Sequence, residues 1–108
     1  MKTIKAGNKE YQLRLTTKAA INIEDRIGKN PLNVFMQATE TSMPKMKEML
    51  IILHECLNTC NHNIKLDDVY DIYDKYIEDG GNLMSLIELL VGVFEDAGFI
   101  PKEEESKN

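Results

Sequence analysis

The stretch YQLRLTTKAAINIEDRIGKNPL, residues 11–32, changes its hydrophobic period part-way along and so decides the fold class. Tyr11, Leu13 and Leu15 alternate with polar residues, which is the period of two expected of a half-buried strand. From Thr17 the apolar residues recur at the 3.6-residue spacing of an amphipathic helix. Since a strand and a helix each need to bury one apolar face, the stretch predicts a mixed fold in which the two pack together.

Working outward towards the N-terminus, the preceding residues predict a partner strand and hence a β-hairpin over residues 2–15. Gly7 and Asn8 suit a two-residue turn with glycine at its first central position. This turn predicts three cross-strand pairs: Thr3 with Gln12, Ile4 with Tyr11, and Lys5 with Glu10. The pairs place polar residues on one face and apolar residues on the other, as a consistent register requires. An isolated hairpin is marginal in water, so it needs the helices that follow.

Working outward towards the C-terminus, periodicity predicts helices at about residues 17–28, 31–40, 43–61, 67–79 and 82–97. Thr16 or Thr17 can cap the first helix, and Gly28 suits its end. Pro31 can open the second helix at its first position. We therefore expect an α+β fold, mostly α, with an N-terminal β-hairpin followed by four to five helices in a small bundle. Residues 1–100 form a single domain in this interpretation, and residues 101–108 form a disordered charged tail.

Composition bounds the function classes. The 108 residues are 43% hydrophobic and 29% charged, which is typical of a folded domain of this size. The net charge of −5 comes without a basic stripe, so we expect no nucleic-acid partner. The longest nearly apolar run, residues 86–94, is too short to cross a bilayer, and residues 1–5 lack the apolar region of a secretory signal. We expect a cytosolic protein with no membrane partner.

The residues that most resemble a metal site are His54, Cys56, Cys60 and His62. Zinc needs four ligands that converge on one point, but on a single helix His54 faces away from both thiols. We therefore expect no metal, and we interpret the two cysteines as small apolar side chains of the core.

An acidic row on the fourth helix is the other candidate for chemistry, and it comprises Asp67, Asp71, Asp74 and Glu78. These carboxylates lie opposite a full apolar face, which is typical of a solvated helix side. No serine, cysteine or lysine stands in a nucleophile motif, and Gly80 and Gly81 do not form a phosphate-binding loop. We expect no catalytic residue and no cofactor, so the chain is interpreted as a protein other than an enzyme.

The last predicted helix, residues 82–97, is apolar over more than half of its circumference. Such a helix is either central to the bundle or keeps an apolar face for another chain. For the second case, the margins of its apolar arc supply the candidate interface residues: Met84, Leu89, Val91 and Val93. On this interpretation we expect a dimer or larger homo-oligomer, since symmetric pairing commonly covers such a face.

A family resemblance rests on the same stretch of residues that decides the fold. The strand YQLRLT at 11–16 leads into a helix with Ala20, Ile23 and Glu24, and the segment GKNPL at 28–32 ends that helix. This order resembles the tail assembly chaperones of long-tailed bacteriophages and related prophages. The resemblance covers about residues 3–35, and the later helices agree with it in pattern.

The resemblance implies a non-catalytic assembly factor in the cytoplasm of a bacterial host. Its expected partners are the tape-measure protein and tail-tube subunits, and it is not expected in the mature virion. The alternative is a small structural or regulatory phage protein, such as a head–tail connector component or a dimeric antitoxin-like domain.

Overall fold

The computed structural model of the chain describes residues 1–39 and 41–101. Two strands are followed by five helices: β1 (Lys2–Ala6), β2 (Lys9–Leu13), α1 (Thr17–Ile27), α2 (Pro31–Met36), α3 (Met46–Cys60), α4 (Leu66–Glu78) and α5 (Leu83–Asp96). The predicted fold class, α+β and mostly α with an N-terminal hairpin, is confirmed. The predicted disordered tail lies, apart from Pro101, outside the described residues.

The hairpin has the register that its turn predicts. The strands β1 and β2 pair antiparallel, with Thr3 opposite Gln12, Ile4 opposite Tyr11 and Lys5 opposite Glu10. Gly7 adopts a φ of 67°, a positive value that glycine reaches without strain at the first central position of such a turn.

The second strand leaves the sheet earlier than predicted, at Leu13 instead of residue 15. Here the backbone N–H of Arg14 donates to the carbonyl of Cys56 on α3, at 3.2 Å. The side-chain amide of Asn61 donates to the carbonyl of Gln12 at 3.1 Å. The outer edge of β2 is therefore joined to α3, and Leu15 remains buried beyond the end of the strand.

The ends of α1 follow the predicted capping residues. Thr16 is the N-cap, and its hydroxyl accepts a hydrogen bond from the backbone of Ala19 at 3.1 Å. Gly28 adopts the left-handed conformation with φ of 75°, and its N–H donates to the carbonyl of Glu24 at 2.8 Å. These local signals were sufficient to place both ends of the helix.

The connection between α2 and α3 is longer than predicted. The helix α2 ends at Met36 instead of residue 40, and α3 begins at Met46 instead of residue 43. Pro44 explains the late start of α3, because a proline disfavours helical conformation at the residue before it. Within the connection, Thr39 and Ser42 exchange two backbone hydrogen bonds, at 2.8 and 3.2 Å, and so turn the chain back on itself.

The central element of the molecule is α3, which packs against α1, α4, α5 and β2. Seven of its residues are buried: Met49, Leu50, Ile51, Ile52, Leu53, Cys56 and Leu57. Ile51 lies outside the apolar arc that a helical wheel gives, so α3 is covered on more than one side. The turn of the hairpin also contacts the end of α4, through a hydrogen bond between Gly7 and Asp79.

Within the described ranges, no helix combines the length and the apolar character needed to cross a membrane.

Candidate interaction surfaces

The last helix, α5, contributes mainly to the core. Its buried apolar side chains are Leu86, Ile87, Leu90, Val93 and Phe94. Val93 is only 2% exposed, so the prediction that it lies on an exposed margin is wrong. Its position, one heptad after Leu86, gives it the same direction as that fully buried residue. The apolar excess of α5 is thus largely used inside the molecule.

A second side of α5 packs against β1 and is joined to α4 by a side-chain hydrogen bond. The hydroxyls of Tyr76 and Ser85 are hydrogen-bonded, which joins α4 to the first turn of α5. At the other end, the ammonium of Lys2 lies 3.6 Å from the carboxylate of Asp96. The aliphatic chain of Lys2 crosses α5 at Gly92, where an added Cβ would come within 2.7 Å of the lysine Cε.

On this side of α5, Leu89 is only partly exposed and packs against the core. Of the four candidate interface residues, Leu89 and Val91 are intermediate in exposure, Met84 is exposed and Val93 is buried. The four predicted interface residues therefore differ in exposure and do not form one exposed surface.

Two exposed apolar residues, Met84 and Phe99, and the partly buried Val91 between them form what we call the α5 strip. Met84 is 39% exposed in the first turn, and Val91 follows two turns later at the same margin of the helix. Phe99 lies just beyond the helix, with its ring in an edge contact with Phe94 at 6.1 Å between centroids. Glu88 and Glu95 lie next to this margin on the helix.

A second apolar surface runs along α4. Leu66, Tyr70 and Ile77 fall within a narrow arc of this helix, and Tyr70 and Ile77 are each about two-fifths exposed. We call these three residues the α4 stripe. The acidic row of Asp67, Asp71, Asp74 and Glu78 lies directly beside it and is exposed, as predicted for a solvated helix side.

A third apolar surface surrounds the turn between α2 and α3. Met36 is 80% exposed at the end of α2, and Met43 and Met46 are exposed at the approach to α3. The Thr39–Ser42 turn folds the connection back, so the segment that carries Met43 and Met46 returns towards the end of α2, which carries Met36. We call them the methionine corner; Lys45 and Lys47 are exposed within it.

A half-open groove of about 540 Å³ lies between the end of β2 and the end of α5. Its lining residues are Met1, Leu13, Arg14, Leu15, Val93, Asp96 and Ala97. The lining supplies one guanidinium and one carboxylate, but it brings no nucleophile to a base. This groove offers binding space without the elements of a catalytic site.

The two thiols differ in their surroundings. Cys56 is fully buried, and this burial, with smaller contributions from Glu55 and Cys60, raises the pKa of its thiol to about 12. It is therefore protonated at neutral pH and behaves as an apolar core residue. Cys60, in the last turn of α3, is only partly buried.

His54 takes part in a structural hydrogen-bond network. Arg26 donates to its Nδ1 at 3.1 Å, and its Nε2 donates to the carbonyl of Ile64 at 2.6 Å. Arg26 also forms an ion pair with Glu55 at 2.9 Å, which joins α1 to α3. Across residues 1–39 and 41–101, no group of three or more histidine, cysteine or acidic side chains is placed to hold a metal ion.

The entire sequence, residues 1–108, matches a protein family described as a family of unknown function (DUF6096). The chain belongs to this family. No curated protein and no solved structure matches it.

For this DUF6096 member, sequence patterns did not identify two of the three apolar surfaces. Tyr70 and Ile77 share the apolar side of α4 with buried residues such as Val69 and Ile72, so periodicity alone cannot separate them. The methionine corner falls where helices were predicted, and its exposure depends on the unpredicted turn. A signal for it was present in Pro44, which breaks the helical pattern.

Proposed function

We propose that this protein is a non-catalytic binding module that acts as a tail assembly chaperone of a long-tailed bacteriophage or prophage. Its proposed client is the tape-measure protein, with tail-tube subunits as further partners. The resemblance over residues 3–35 supports the proposal, and so does the confirmed hairpin-and-helices fold in which those residues lie. The protein would act in the cytoplasm of the bacterial host and be absent from the finished virion.

The observation that carries the proposal is the α5 strip. Its members lie along and just beyond a helix of 14 residues, which is about 21 Å long. That length suits an amphipathic client helix, whose apolar positions would contact Met84, Val91 and Phe99 in turn. The unbranched side chain of Met84 adapts to different partner shapes, a property useful for a client with many similar helices.

Co-expression with the full-length tape-measure protein of the same phage or prophage tests the proposal. We expect the tape-measure protein to become soluble and to co-purify with this chain. The Met84→Lys variant should lower the co-purified amount about tenfold or more, because it places a charge in the apolar contact. Residue 84 is exposed, so the variant should remain folded by circular dichroism.

Ile21 on α1 provides a matched control, since it is also apolar and is 52% exposed. Ile21→Lys should co-purify as much tape-measure protein as the unchanged chain does. A tape-measure protein that stays insoluble or separate from the unchanged chain would contradict the proposed function. An equal loss in both variants would contradict the assignment of the α5 strip as the client surface.

A further inference from the structure

Two of the exposed apolar surfaces carry opposite charges. The α4 stripe is bordered by the four carboxylates of the acidic row, whereas the methionine corner contains Lys45 and Lys47. Carboxylates therefore predominate beside the α4 stripe, where Lys75 is also exposed. The two lysines of the methionine corner lie between Glu40 and Glu48 in the sequence. Surfaces of this kind suit each other, since apolar contact supplies affinity while opposite charges give specificity and orientation.

The acidic row is available to a partner. Within residues 1–39 and 41–101, no side-chain hydrogen bond or ion pair is formed by Asp67, Asp71, Asp74 or Glu78. The other two aspartates of this region are occupied: Asp68 accepts from the backbone of Lys65 at 2.9 Å, and Asp79 accepts from Gly7 at 2.8 Å. The row is therefore distinct from the carboxylates that cap and join elements of the fold.

The charges of the methionine corner are also available. Lys45 and Lys47 are exposed and form no ion pair with any residue in the described part of the chain. The nearby Lys29 instead binds Glu48, at 3.0 Å. From Thr41 to Lys47 the chain contains these two lysines and no acidic residue.

The two surfaces do not cover each other within one molecule. Both α1 and α4 pack on α3, but they have no extensive contact with each other, and neither do α2 and α4. Leu66 is partly buried, and the other apolar residues of both surfaces are exposed. We infer that the methionine corner of one copy of this chain binds the α4 stripe of the next copy.

Such a contact joins two different patches, so it is head-to-tail. Each added copy leaves one methionine corner and one α4 stripe free, and growth continues unless the rotation between copies closes a ring. The expected signature is an average mass that keeps rising with concentration beyond that of a dimer. The surface for self-association is then separate from α5, where the sequence pattern placed it.

Charge reversal tests the inference on the full-length chain. Sedimentation from about 10 to about 200 µM should give masses above the 12.4 kDa monomer. The Lys45→Glu/Lys47→Glu variant and the Asp71→Lys/Asp74→Lys variant should each weaken association about tenfold or more. An equimolar mixture should recover it, because each type of patch on one variant then meets its complement on the other.

The control is Lys9→Glu/Lys18→Glu, which changes the net charge as much as Lys45→Glu/Lys47→Glu does. It alters exposed residues of β2 and α1, outside both proposed contact surfaces. It should associate like the unchanged chain. A monomer at every concentration would overturn the inference. So would unchanged association of both reversal variants, or a mixture that stays as dissociated as its components.

This experiment contains no client, and its variants leave the α5 strip intact. Its failure would therefore leave the proposed chaperone function standing. Conversely, a tape-measure protein that does not bind would not affect the self-association of the chain.

Discussion

At Gly28, the conformation of a single residue ends α1. Its φ of 75° is one that side chains with a Cβ adopt at a cost, and that cost rises for β-branched residues. Among the described residues, and leaving aside the adjoining backbone, no atom lies within 4 Å of the position that a Cβ would occupy there. Any penalty for substitution must therefore come from the backbone itself.

We predict that Gly28→Val lowers the free energy of unfolding by about 1–2 kcal/mol in urea denaturation. Gly28→Asn should cost less, because asparagine tolerates the left-handed conformation better than other residues with a Cβ. Equal losses for valine and asparagine would show that backbone conformation is not the cause. A negligible loss for valine would mean that α1 does not depend on ending at this residue.

The two cysteines show that a residue's position in a helical pattern does not predict how deeply its side chain is buried. Both fall in the apolar arc of α3, yet only Cys56 is fully buried. Cys60 is the last residue of the helix, where the surrounding elements cover it less completely. The helical pattern gives the direction of a side chain, but the depth of burial depends on what the rest of the chain places there.

At the scale of one element, apolar residues of α5 differ in whether they are buried or exposed. Val93 faces the core, whereas Met84 lies at an exposed margin. We predict that Val93→Glu destabilises the protein by about 3 kcal/mol or more, since it buries a charge without a partner. Met84→Glu should change stability by only about 0.5 kcal/mol, because its carboxylate can reach water.

Thermal and urea unfolding of the two variants measure this difference in stability. The comparison is matched, because both variants introduce glutamate into the same helix. A folded and stable Val93→Glu variant would contradict the core placement of α5. It would return this residue to the exposed margin that the sequence pattern suggested.

At the scale of the whole molecule, one hydrogen bond joins two segments that are far apart in sequence. The N–H of Gly7, in the hairpin turn, donates to the carboxylate of Asp79, which is 72 residues away at the end of α4. The same turn contacts α4 through the side chain of Lys75. These contacts help to hold a hairpin that would be marginal by itself.

We predict that Asp79→Ala lowers the free energy of unfolding by about 1 kcal/mol, the usual net value of one such hydrogen bond. Asp79→Asn should retain most of the stability, because its amide oxygen can still accept from Gly7. Urea denaturation of both variants checks this, and amide exchange at Gly7 should become faster in the alanine variant alone. Unchanged exchange at Gly7 in that variant would show that the contact does not protect the turn.

Patterns within short segments were sufficient for much of the fold. The turn at Gly7 and Asn8 sets the hairpin register, and Thr16 and Gly28 set the ends of α1. These features depend on conformations and hydrogen bonds among residues only a few positions apart, so the local sequence contains their cause. The missed start of α3 belongs to the same class, since Pro44 is a local signal.

The candidate surfaces depend on contacts between distant segments. Val93 and Met84 are equally apolar in pattern, yet the folded chain leaves the first 2% exposed and the second 39% exposed. Tyr70 and Ile77 likewise stay exposed because α3 and β1 cover a neighbouring arc of α4. Periodicity states which residues could be buried together; the number and placement of the elements around each helix decide which of them are.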